Sequence, residues 1–193
     1  METARQLDAT PSETGASFVR VPVKSRKGIV AWATVDRADE SLVVGLDWHL
    51  STDGYAQRSL PPKGRVKEFM ARRILGLRPG DGVESDHISR DKLDNRRSNL
   101  RIVTHAQNSQ NRVRTDGNSR YRGVSRKKDR KAARPFQAYG CAAGKQSHLG
   151  FYDEELDAAR AAEAWRRVHL PFAVPDGSLD PLPSCPCRDC RAA

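Results

Sequence analysis

The alternation of apolar and polar positions divides the first third of the chain into short extended segments. Ser17 to Val23 reads as a strand, Lys24 to Gly28 as a basic turn, and Ile29 to Val35 as the clearest strand in the sequence. That last run is rich in β-branched and aromatic residues, which suit a pleated, half-buried surface. Asp36 to Glu40 breaks the pattern, and Leu42 to Leu50 carries Trp48. Ser51-Thr52-Asp53-Gly54 is a turn ending in Asp-Gly, from which Tyr55 to Arg58 returns as a strand. A small antiparallel sheet is expected, serving as support. The period then lengthens: Lys67 to Leu77 spaces Phe69, Met70, Ile74 and Leu77 as the inner face of an amphipathic helix. Pro79-Gly80-Asp81-Gly82 is expected to end it.

Asp86 to Arg112 is built differently. An Asp-His pair opens a polar loop through Asp94-Asn95-Arg96-Arg97-Ser98-Asn99, and a short apolar run, Leu100 to Val103, follows. Thr104 with Gln107 three residues on is a capping box, so a helix is expected from there. Two short strands joined by a polar loop, then a helix packed across them, can build a phosphodiesterase site with one metal ion. Asp86 supplies a carboxylate and Asn108 an amide oxygen, the hard ligands that Mg²⁺ takes alongside water and substrate phosphate. His87 is suited to accept a proton from the attacking water near neutral pH. Asn99 is placed to bond the loop backbone and fix the ring's orientation.

At these residues the sequence resembles the HNH endonucleases of phage and homing type, in the variant with Asn in place of the last His. The resemblance implies that Asp86 and Asn108 bind the metal, that His87 is the general base and that Asn99 braces the loop. The preceding helix in that family usually carries a His-Arg pair, where this chain has Ala71-Arg72. Arg72 and Arg73 are expected either to touch phosphate or to be solvated.

After Thr115 to Ser119, read as a linker, the character changes. Arg120-Tyr121-Arg122-Gly123-Val124, a basic stretch to Lys131, Pro135 to Tyr139 and His148 to Tyr152 supply strands around a Gly144-Lys145 turn. A helix capped by Asp153 runs to about His169, with Ala158, Ala161, Ala162, Trp165 and Val168 as its apolar stripe. Glu154 and Glu155 in the first turn and Arg166, Arg167 and His169 in the last suit the helix dipole. These residues resemble the DNA-binding domain of the Apetala and ethylene-response-factor family. The resemblance implies a three-stranded sheet in the major groove, with Arg122, Ser125, Lys127, Tyr139 and His148 facing DNA. Gly140 and Cys141 depart from that family's pattern, which has a large aliphatic residue and a basic one there.

Composition agrees with a nucleic-acid partner. In 193 residues the formal net charge is +10, with 30% charged and 37% hydrophobic residues. Such a balance suits a dense negative surface. A membrane is not expected as partner, since no apolar run is long enough to span and residues 1–16 lack the apolar core of a signal peptide. A cytoplasmic protein follows, in the host's cytoplasm if phage-encoded. The tail ends in Cys185-Pro186-Cys187-Arg188-Asp189-Cys190. Three thiolates fall one short of tetrahedral zinc, with His169 or Cys141 the candidates to complete it. Disorder is the preferred reading of the tail, and zinc on Cys185, Cys187 and Cys190 the alternative.

The expected fold is α+β: a small antiparallel sheet, a strand-loop-strand-helix metal motif, then a three-stranded sheet on one helix. The expected divisions are a leader at 1–16, a nuclease domain at 17–114 (support at 17–60, helix at 67–77, motif at 83–114), a linker at 115–119, a DNA-recognition domain at 120–174 and a tail at 175–193. The expected function is a DNA endonuclease using one divalent ion, Mg²⁺ with Mn²⁺ as alternative, on double-stranded DNA, with a monomer favoured. A monomer with one site would nick, and double-strand cleavage would need pairing or reorientation. The competing reading is a DNA-binding regulator on a degenerate nuclease scaffold, which Ala71 favours. An RNA-directed nuclease is a third.

Overall fold

The strongest strand pattern becomes the longest ladder. In the computed structural model, which describes residues 17–61, 66–112, 118–127, 133–175 and 179, β1 (Phe18–Ser25) pairs antiparallel with β2 (Gly28–Asp36). Val21, Val23, Ala33 and Val35 are buried, as period-two alternation requires of a sheet with one face on a core. The chain then passes through a 3-10 turn (Arg37–Asp39) and one turn of helix, α1 (Glu40–Val43), to β3 (His49–Leu50). Trp48 is fully buried, and its Nε1 donates to the Val43 carbonyl at 2.8 Å. β3 and β4 (Ala56–Leu60) form the hairpin around Asp53-Gly54, with Gly54 at φ +86°. β5 (Val66–Phe69) completes a five-stranded sheet in the order β2-β1-β3-β4-β5, in which only the β1–β3 pair is parallel.

The helix expected over residues 67–77 is a correction. Lys67, Glu68 and Phe69 are extended, paired with Ser59, Arg58 and Gln57, and only Met70–Ile74 is helical (α2). Arg58 and Glu68 face each other across the ladder as an ion pair. Helix propensity is a weak prior, and pairing with a sheet edge overrides it. Met70 and Ile74 are buried as expected, while Phe69 and Leu77 are only half-buried. The helix stops at Gly76, well before Pro79. Gly76 takes φ +70°, its N–H donates to Arg73 O at 3.1 Å, and the Leu77 N–H donates to Arg72 O at 2.8 Å, a Schellman ending that favours glycine.

β6 (Glu84–His87) and β7 (Leu100–Val103) pair antiparallel, and α3 (His105–Asn111) follows. The chain divides into two compact units, Met1–His105 and Ala106–Ala193.

In the second unit β8 (Val124–Arg126), β9 (Phe136–Ala142) and β10 (Lys145–Tyr152) form a three-stranded sheet in the order β10-β9-β8, packed on α4 (Glu155–His169). Val124, Ala138 and Leu149 meet Ala158, Ala161, Ala162 and Trp165 in the core. The packing explains Gly140. A Cβ there would lie 2.3 Å from the Trp165 ring, so the tryptophan fills the volume that a larger residue on the strand would take. Two expectations for α4 are corrected. Val168 is 58% exposed and lies off the buried stripe. The N-cap is Glu154, without a side-chain cap bond, so Asp153 lies outside the helix; Ser119 Oγ instead donates to Glu155 at 2.7 Å.

Among the described residues no helix is long and apolar enough to cross a membrane. The expected leader, residues 115–117 of the linker, residues 128–131 of the basic stretch, and the tail cysteines Cys185, Cys187 and Cys190 lie outside the described residues.

Candidate active site

The loop between β6 and β7 is fixed at both ends and in the middle. The Ile88 N–H donates to Asn99 O at 2.8 Å, closing the base of the loop. The Asn99 side chain then spans it: Oδ1 accepts from the Ser89 N–H and Nδ2 donates to Asp94 O, both at 2.8 Å. The outer part docks on the β2 edge, where the Thr34 N–H donates to Leu93 O at 2.8 Å and the Asn95 N–H to Thr34 O at 2.7 Å. Arg97 pins the far side, donating to Asp39 at 2.7 and 2.8 Å and to the Ile74 carbonyl at 2.9 Å. Asn99, 7% exposed, and Asp39, 4% exposed, would incur a burial penalty without these partners.

Asp86 and His87 end β6 inside this frame, 7% and 5% exposed. Successive strand residues project to opposite faces, and the two side chains meet different partners. Asp86 lies opposite Arg101 in the ladder, and its Oδ2 accepts from Arg101 Nε at 2.8 Å and Nη2 at 2.6 Å. The His87 ring packs against Tyr55 at 5.7 Å between centroids, and its Nε2 lies 3.2 Å from Asn95 Oδ1. Asn95 is itself buried, and its Nδ2 donates to Leu93 O at 3.2 Å. That bond leaves the amide oxygen for His87, so Nε2 carries the proton and Nδ1 is the basic nitrogen. Burial pushes the His87 pKa below its ordinary value, against the Asn95 bond and the Asp86, Asp91 and Asp94 charges, which act to raise it. A neutral imidazole near pH 7 results.

Among the described residues no cluster of three or more His, Cys, Asp or Glu side chains could hold a metal ion. A buried carboxylate as the anionic ligand still fits Mg²⁺, which takes few protein oxygens and completes its shell with water and phosphate. Asn108 lies on α3, in the second unit.

Residues 70–110 match the family model described as HNH endonuclease. This segment is similar to the HNH endonucleases. An uncharacterized HNH endonuclease of Acanthamoeba polyphaga mimivirus is 32% identical over 100 residues, 51% of this chain. The match spans about half of that relative's length, 52%. No solved structure matches the chain.

At the position of the family's His in α2, Ala71 is buried in the core of the first unit. Arg72 and Arg73, expected to meet phosphate or solvent, are half-buried and bonded within the protein. Arg72 donates to the carbonyls of Val83 and Arg78 at 2.8 and 2.6 Å, and Arg73 bonds Leu42 O and Glu68. Arg72 thereby ties down the loop after α2, and Arg73 ties α2 to α1 and β5.

On the second sheet, Ser125 and Gln137 pair on the face away from α4, as do Tyr139 and His148. Lys127 Nζ sits 3.7 Å over the Phe151 ring, whose centroid is 4.7 Å from that of His148. Four of the five proposed DNA-facing residues thus share this side. Arg122 sits in the turn before β8 and donates from Nη1 to Gln110 O at 2.5 Å. Sequence reasoning missed Asn95, Arg101 and Tyr55 in the first unit and Phe151 in the second.

Proposed function

We propose that this protein is a metal-dependent DNA endonuclease of the homing or phage type, with His87 as general base and Asp86 and Asn108 as metal ligands. The observation that carries it is the adjacent buried pair Asp86 and His87, each held by its own partner, inside the segment that matches the HNH model. The match continues past Asn108 to residue 110, which supports keeping Asn108 in the same motif. The viral source of the relative supports a mobile or phage-type role.

His87 takes a proton at Nδ1 from the water that attacks phosphorus. Asn95 fixes the tautomer that makes Nδ1 basic, and Asn99 holds the loop that carries Asn95. A divalent ion, Mg²⁺ or Mn²⁺, would supply polarisation of the phosphoryl oxygen and support of the leaving oxygen. We assign the nuclease domain to 17–114 and a duplex-recognition domain to 120–174, resembling the Apetala type, with Ser125, Lys127, Tyr139 and His148 toward DNA. Arg122 acts there through the turn that it anchors. One site per chain cuts one strand.

The test is cleavage of supercoiled plasmid with and without Mg²⁺ or Mn²⁺, comparing wild type with His87→Ala. Metal-dependent relaxation that the variant loses is the expected result. No cleavage by either protein, with plasmid binding retained, would replace this reading with a regulator on a degenerate scaffold.

A further inference from the structure

The tightest polar contact of Asp86 among the bonds described above is with a cation already in the protein. Arg101 directs Nε and Nη2 at the same oxygen, Oδ2, from the opposite strand. The Arg101 side chain is 22% exposed against 8% for Asp86, so Arg101 is the more solvent-accessible member of the pair. A divalent ion bonded to that oxygen lies about 2.1 Å from it, which would bring two cations to within roughly 5 Å in a poorly screened site.

We infer that Arg101 and the divalent ion are alternative partners of Asp86 Oδ2, so that Arg101 is a positioning residue that sets the metal affinity of the site. This rests on Asp86 being a metal ligand. With Arg101 in place, Asp86 is held in a fixed rotamer and its charge is balanced while the ion is absent. Metal then binds only from the fraction of molecules in which the pair has opened, and the apparent affinity is reduced by that fraction.

The experiment is Mn²⁺ titration followed by electron paramagnetic resonance on wild type, Arg101→Gln, Arg101→Lys and Asp86→Ala, without DNA. Arg101→Gln keeps a donor beside Asp86 but removes the charge, and should bind Mn²⁺ about tenfold more tightly or better. Arg101→Lys keeps the charge but loses the two-pronged contact, and should bind Mn²⁺ less tightly than Arg101→Gln. Unchanged or weaker binding by Arg101→Gln, with Asp86→Ala weakened, overturns the exchange and leaves Asp86 a ligand. Unchanged binding by Asp86→Ala overturns the ligand assignment itself. Should Arg101→Gln fail to fold, the Arg101 Nε–H resonance of wild type decides. Its protection from solvent exchange should fall on saturation with Mg²⁺, and protection that persists at saturation overturns the proposal.

Discussion

At His87 two opposing effects meet, and burial wins. Desolvation disfavours the charged imidazolium, while Asn95 and the aspartates of the loop favour it, and the net direction is downward. The folded value therefore lies below that of the unfolded chain, about 6.5. For this sign, the stability that His87 contributes is present above about pH 6.5 and is lost as pH falls through the folded value. Urea unfolding at pH 7.5 and 5.5 should show a larger loss of stability for wild type than for His87→Gln. The same direction predicts that the acid limb of the cleavage profile falls below the ordinary imidazole range, since the base stays neutral there. His87→Ala should lower the cleavage rate about 10²- to 10⁴-fold and leave DNA affinity nearly unchanged; a parallel loss of both would make His87 structural. Asn95→Ala leaves a buried N–H without its acceptor, so a loss of about 1–3 kcal/mol is expected in the same unfolding measurement.

Elements that depend on neighbours in sequence were legible, and those that depend on neighbours in space were not. The strand-loop-strand-helix order around Asp86 and His87 follows from a local apolar run, Leu100 to Val103, and from Thr104 before a helix. β1 and β2 follow from their β-branched residues. By contrast, Lys67 to Phe69 carry helical spacing but pair with β4, a partner that no local pattern reveals. Asp86 opposite Arg101 needed the register across a loop of unknown path, and Asn95 was hidden among polar neighbours of the same type. Gly140 departs from the family pattern because the Trp165 ring fills the space beside it, a contact that no local pattern carries. Gly140→Ala should destabilise the second unit by about 1–3 kcal/mol, because the added methyl overlaps the indole. Guanidinium unfolding monitored by fluorescence checks this, and an unchanged midpoint would mean that α4 shifts to make room at little cost.

For the duplex partner proposed above, a net charge of +10 predicts that phosphate contacts supply much of the affinity and that salt weakens it. Chemistry and affinity are then separable. The HNH segment holds Asp86 and His87, whereas Ser125, Lys127, Tyr139 and His148 share one side of a different sheet. Replacing those four by alanine removes one lysine charge and three polar or aromatic side chains but touches none of the core residues under α4. Affinity for a duplex, measured by fluorescence anisotropy between 50 and 200 mM salt, should fall about tenfold or more, with a salt slope shallower by about one. Cleavage at saturating DNA should persist, because binding that is equal in ground and transition states changes KM and leaves kcat alone. Unchanged affinity with an unchanged slope would remove this face from the DNA-binding surface and leave the HNH segment to hold its substrate unaided. A fall in kcat with affinity intact would instead mean that the second sheet takes part in the chemical step.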